Sequence, residues 1–165
     1  MRGNSCIVKE KTTKYLGKRG RKMLEVKFYE EVDDQLLEFA VIVSKYKGKW
    51  VYCKHRERDT YEAPGGHRDN GENIIETAKR ELFEETGAKK FKLTRIGVYS
   101  VSNEGKETFG MLFFADIEEF GELPEMEIEK IELFDKLPDK LTYPLIQPKL
   151  VERVATEIQK LKLLE

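Results

Sequence analysis

The sequence predicts one domain of mixed α/β (α+β) class, a mixed β-sheet sandwiched between helices, and three observations carry that reading. Local antiparallel strand pairs flank a single amphipathic helical segment, a second helical stripe closes the chain, and no linker, internal repeat or low-complexity tract intervenes. At 165 residues the chain is about one domain long, enough to bury roughly two-thirds of its unfolded surface.

Strands come first. Residues 24–30 and 38–46 are rich in β-branched and aromatic side chains, and the second run joins 50–55 across Lys47-Gly48, a hairpin signal. Residues 93–102 and 108–117 flank a second turn at 103–106, and 131–134 is a shorter strand candidate. Between the hairpins, residues 73–86 carry a helical pattern that sets Ile74, Ile75, Ala78 and Leu82 on one core-facing arc. At the end, Leu150, Val151, Val154, Ala155, Ile158 and Leu161 recur at helical spacing after Pro148, which suits a first-turn position.

Composition narrows the setting. The two cysteines, Cys6 and Cys53, make neither a disulfide framework nor a CxxC pattern, so a reducing compartment is expected. No apolar run reaches the ~18 residues of a membrane span, and Met1 leads into polar residues, which points to a cytoplasmic protein with no membrane partner. The formal net charge is −1, yet residues 1–22 hold eight Lys/Arg against Glu10 alone. Such a basic arm, set apart from a domain at 23–165, reads as a solvated leader, and nucleic acid could be engaged only through it.

The chemistry concentrates in residues 61–91. Glu81, Glu84 and Glu85 stand at i, i+3 and i+4, where like charges repel by a few tenths of a kcal/mol per pair (roughly) even when exposed. A divalent cation would offset that repulsion, since hard carboxylate oxygens suit Mg²⁺ or Mn²⁺; a merely solvated acidic helix is the competing reading. Arg80 is placed to hold carboxylate oxygens in orientation, or to form an ordinary surface ion pair with Glu76 or Glu84. Pro64-Gly65-Gly66 lets backbone approach a ligand closely, and Gly87 supplies a helix stop.

Gly66, five residues, Glu72, seven residues, then Arg80-Glu81-Leu82-Phe83-Glu84-Glu85-Thr86-Gly87-Ala88 resembles the signature box of the Nudix hydrolase family, at residues 66–88. It departs only at Ala88, where the family usually has a larger aliphatic. The resemblance implies cation-dependent hydrolysis of a nucleoside diphosphate linked to another group. It implies Glu81, Glu84 and Glu85 as catalytic and metal-binding carboxylates, the Gly65 carbonyl as a further ligand, and Arg80 paired with Glu72 to steady the helix. Gly65, Gly66 and Glu72 then stand on the substrate side.

Family members often recruit a carboxylate from outside the box, and the 122–129 stretch resembles the region that supplies it. Glu127 is favoured over Glu125 as a catalytic and metal residue. His55 and His67 are weaker candidates for a base. Residues 48–50, 61–66 and 113–117 look like the MutT-like nucleoside triphosphatases of Gram-positive bacteria. The substrate this implies is a nucleoside triphosphate, an oxidised purine of the 8-oxo-dGTP type included, cleaved to monophosphate and pyrophosphate. An RNA 5′ pyrophosphohydrolase and a non-catalytic nucleotide sensor are the alternatives. Trp50, Tyr61, Phe109 and Phe113 could stack on a base, although strand aromatics more often serve a core.

Overall fold

A computed structural model describes residues 9–16 and 23–162. Among them the chain runs β1 (Lys9–Leu16), β2 (Met23–Tyr29), a 3₁₀ turn (Asp34–Leu36), β3 (Leu37–Tyr46), β4 (Lys49–His55), β5 (Tyr61–Glu62), β6 (Gly65–His67), α1 (Ile74–Thr86), β7 (Ala88–Asn103), β8 (Lys106–Phe120), β9 (Ile128–Phe134) and α2 (Gln147–Lys162). The strands form one mixed sheet in the order β1-β2-β7-β8-β3-β4-β5, with β6 on β3 and β9 on β4. Only the β3–β8 pair is parallel; the other ladders are antiparallel.

Both expected hairpins form, and their turns explain the register. Lys47 and Gly48 adopt φ of 49° and 78°, and Glu104 and Gly105 adopt 52° and 84°. Two consecutive positive φ values give the turn whose twist matches that of paired strands, so Tyr46 faces Lys49 and Asn103 faces Lys106.

The period-2 alternation of central strands sends side chains to two cores, one under each helix. Ala40, Ile42, Met111, Phe113, Ala115 and Ile117 pack with Ile74, Ala78 and Leu82 of α1. Val43 and Leu112, with Tyr99, pack with Leu150, Val151 and Val154 of α2. A fully buried Leu82 contributes about 1.5–3 kcal/mol of transfer free energy. The sheet is therefore sandwiched between the helices, as the two amphipathic stripes require.

Three details differ from the sequence reading. Ile75 is exposed rather than core, because the buried arc of α1 is centred toward Thr77 and Glu81. Lys9–Leu16, inside the basic arm, adds a strand to β2, although its lysines break any apolar pattern; residues 1–8 and 17–22 of that arm lie outside the described residues. The glycine-rich entrance also contains two short strands. β3 and β4 pair at Ser44–Val51 and then part, and the chain fills the fork: Tyr61-Glu62 pairs with β4 and Gly65–His67 with β3. The fork holds the candidate site against the sheet.

Candidate active site

Local chemistry fixes α1 at both ends. The Asn73 side chain accepts from the N–H groups of Ile75 and Glu76, each at 3.0 Å, while the Glu76 carboxylate accepts from Asn73 N–H at 2.9 Å. This reciprocal cap stabilises the helix by about 0.5–2 kcal/mol, and it uses up Glu76, which leaves Arg80 free for other acids. Gly87 ends the helix at φ 73°, where a Cβ would also sit 2.7 Å from the Glu122 carbonyl oxygen.

Arg80 gathers the acidic groups. Its Nε and Nη2 donate to the two oxygens of Glu72 at 2.6 and 3.1 Å, a bidentate pair. Nη1 donates to Glu81 at 2.7 Å and to Glu84 at 3.2 Å, and Nη2 also reaches the His67 carbonyl at 2.9 Å. Glu72 accepts further bonds from Thr77 Oγ1 and the Asp69 N–H, at 2.8 and 3.0 Å. Bonds from Arg80 hold the Glu72 carboxyl down at about 2, and the same acids hold the guanidinium well above its usual range.

The glycines act by what they lack. Glu81, buried at 8% exposure, lies against Gly66, where a Cβ would come within 2.2 Å of its Oε1. Gly65 donates its N–H to Glu85 Oε2 at 2.8 Å. Desolvation raises the Glu81 carboxyl despite Arg80. It pushes Glu85 up to about 8, against the pull of the Gly65 N–H and with help from the charges of Glu81, Glu62 and Glu127. Two carboxyls are thus held where their charge is unfavourable without further positive charge.

Glu81, Glu84, Glu85 and Glu127 line one cleft of about 180 Å³, together with Met126 and Ile128. Glu127 reaches it from the segment before β9, and His55 Nε2 stands 3.6 Å from Glu127 Oε2. Glu125 lines neither this cleft nor the larger pocket beside it. Among the described residues no three His, Cys, Asp or Glu side chains converge closely enough to hold a metal ion as they stand. The chemistry of the donors lining the cleft, carboxylate oxygens, suits a hard divalent cation that keeps coordination positions for water and phosphate oxygens.

The larger pocket, about 460 Å³, shares Glu85 and Glu127 with the cleft and is also lined by Gly65, Gly66, His55 and His67. This size is ordinary for a small-molecule site. Glu72 lines neither space; it belongs to the brace around Arg80. The aromatic walls are Phe39, Tyr99 and Tyr143, not the four aromatics the sequence suggested. Phe113 is core, Phe109 packs against that core, Trp50 lies under Lys45 at 4.2 Å, and the Tyr61 hydroxyl donates to Glu132.

Arg58 and Gln147 were also missed as pocket residues. Gln147 had a signal in the sequence, since it stands three, four and seven residues before Leu150, Val151 and Val154, a polar residue on an apolar stripe. Arg58 sits in a loop and gave none. Among the described residues no helix is long and apolar enough to cross a membrane.

Known proteins resemble this arrangement. A family model described as NUDIX domain matches residues 35–152. YtkD of Bacillus subtilis (strain 168), a candidate 8-oxo-dGTP diphosphatase, is 35% identical over 102 residues, which span 61% of this chain and 64% of that protein. The Bacillus subtilis pyrophosphohydrolase BsRppH superposes with a TM-score of 0.72 at 23% identity, covering 88% of this chain and 97% of the other. A Nudix hydrolase from Nitrosomonas europaea gives 0.60 at 22% identity, over 73% and 90%. At these identities the two structures speak to the fold.

Proposed function

The chain belongs to the Nudix family, and from that premise we propose that it hydrolyses a nucleoside triphosphate, 8-oxo-dGTP type purines included, to the monophosphate and pyrophosphate. The observation that carries this reading is the single cleft walled by Glu81, Glu84, Glu85 and Glu127, which shares Glu85 and Glu127 with a nucleotide-sized pocket beside it. Similarity to YtkD supports the choice of substrate.

Each residue has a part. When bound, Mg²⁺ or Mn²⁺ supplies the positive charge that lowers the pKa of attacking water and neutralises the phosphoryl oxygens. Glu81 and Glu84 offer oxygens to it from α1, held in orientation by Arg80, which is itself braced by Glu72. Glu85 is fixed at Oε2 by the Gly65 N–H, so its Oε1 is the oxygen available to accept a proton. Glu127 faces it across the cleft with His55 behind. At Gly65 and Gly66 a side chain would collide with the Ala40 carbonyl oxygen or with Glu81, so bare backbone lines the pocket there and leaves room for the phosphates.

The test is a product assay on dGTP, 8-oxo-dGTP and a 5′-triphosphate RNA, with Mg²⁺, with Mn²⁺ and with chelator. Pyrophosphate and monophosphate from the free nucleotides, abolished by chelator, are expected. Release of single orthophosphates with the diphosphate accumulating, or turnover undiminished in chelator, would overturn the reading.

A further inference from the structure

We propose that Gln147 and Glu62 read the edge of a guanine-type base in the 460 Å³ pocket and select 2-amino-6-oxopurines over 6-aminopurines. This deepens the nucleotide reading above and rests on it.

Gln147 opens α2 and is buried at 5% exposure, yet it lines the pocket. Its Oε1 lies 3.1 Å from the Ala63 backbone nitrogen. A backbone N–H can only donate, so the atom facing it must be the amide oxygen, and chemistry alone fixes the orientation. The NH₂ group is what remains, with no hydrogen-bond partner among the described residues. A glutamine that reads adenine does so with oxygen and nitrogen together. Here the oxygen is already committed, and toward a ligand the side chain can only donate.

Glu62 precedes Ala63 in the chain and lines the same pocket at 9% exposure. Its Oε2 accepts from Arg58 Nη1 at 3.2 Å, and its Oε1 has no partner among the described residues. An ionised carboxylate only accepts. The pocket therefore presents one fixed donor, on a Gln147 side chain anchored to the Ala63 N–H, and one acceptor on Glu62, the residue just before that anchor. Guanine offers the complement, a carbonyl at O6 and donors at N1 and N2. Adenine offers an amino group at N6 and an acceptor at N1, wrong at both positions. Phe39 and Tyr143 supply flat walls for the ring.

O6, N1–H and the 2-amino group are the same in guanine and 8-oxoguanine. The pair thus chooses the base and is indifferent to its oxidation.

The decisive variant is Gln147→Glu, which is nearly isosteric, keeps an oxygen for the Ala63 N–H, and replaces the donor with an acceptor. GMP and AMP affinities are measured by calorimetry or NMR titration in chelator, and kcat/KM for dGTP, 8-oxo-dGTP and dATP with Mg²⁺. Unmodified protein should favour the guanine nucleotides by roughly tenfold or more, with dGTP and 8-oxo-dGTP alike, and the variant should lose that factor. Glu62→Gln should lower the ratio too, and it carries the test if Gln147→Glu does not fold. Equal affinity for GMP and AMP, no binding of GMP, or an unchanged ratio in a folded variant would overturn the proposal. Selective GMP binding without triphosphate hydrolysis would reject the enzymatic reading and leave this one standing; hydrolysis without base preference would do the reverse.

Discussion

The two helices make the same contribution to folding by different means. α2 buries Leu150, Val151 and Val154, an apolar stripe broken only by Gln147 at its first residue. α1 buries Ile74, Ala78 and Leu82, but also Thr77, Glu81 and Thr86. An acid on a buried arc is costly, because desolvation disfavours its charged form. Packing has no need of it. The difference teaches that the site is found where a helix departs from the pattern that folding alone would choose. Gln147 marks the second such departure, on the other face of the same sheet.

The sharpest way to break this comparison is to neutralise α1's acids without changing their size. Glu84→Gln and Glu85→Gln should each lower kcat/KM by roughly a hundredfold or more, because charge stabilisation through a cation is worth several kcal/mol. Thermal stability should hold or rise, as like-charge repulsion is relieved. Steady-state kinetics beside thermal melts reads both, and near-normal rates in both variants would reduce α1 to an ordinary acidic helix.

Truncating the apolar stripes tests the shared part. Leu82→Ala and Leu150→Ala each empty a fully buried position, and each should cost about 2–5 kcal/mol of stability. Denaturant melts should show similar losses from the two helices. A loss confined to α1 would mean that the sheet is held mainly from one face.

These stripes, and the box they flank, were readable because they are local. Glu81, Glu84 and Glu85 declare themselves by spacing within one helix, and Lys47-Gly48 declares its turn by residue type. The pocket could not be read in that way. Phe39, Arg58 and the Tyr143–Gln147 turn come from three segments that meet only when β3 and β4 part and residues 61–67 fill the fork. Strand aromatics such as Trp50 and Phe113 look the same in sequence whether they face a core or a ligand. β1 was hidden for another reason, since an edge strand rich in Lys and Thr shows little apolar alternation.

The smallest expected effect separates the acids of α1 from the brace beside them, by pH, in chelator. Glu85 titrates at about 8 when folded, against roughly 4.3 in an unfolded chain. Between those values the folded state holds a proton that the unfolded state releases, so stability falls as pH rises through the window and the loss is complete above pH 8. Glu72 runs the other way. Its folded value of about 2 lies below the unfolded one, so its contribution is present above the unfolded pKa and disappears only as pH falls through the folded value. Glu85→Gln removes the first dependence and spares the second. Its Tm should exceed that of the unmodified protein by several degrees at pH 8.5, at roughly 2–4 °C per kcal/mol for a chain of this size, and the two should nearly coincide at pH 5. A Tm difference that is constant across this range would mean that Glu85 is not held in a desolvated state, and the contrast between an acid kept for chemistry and an acid kept for structure would then rest on Glu81 alone.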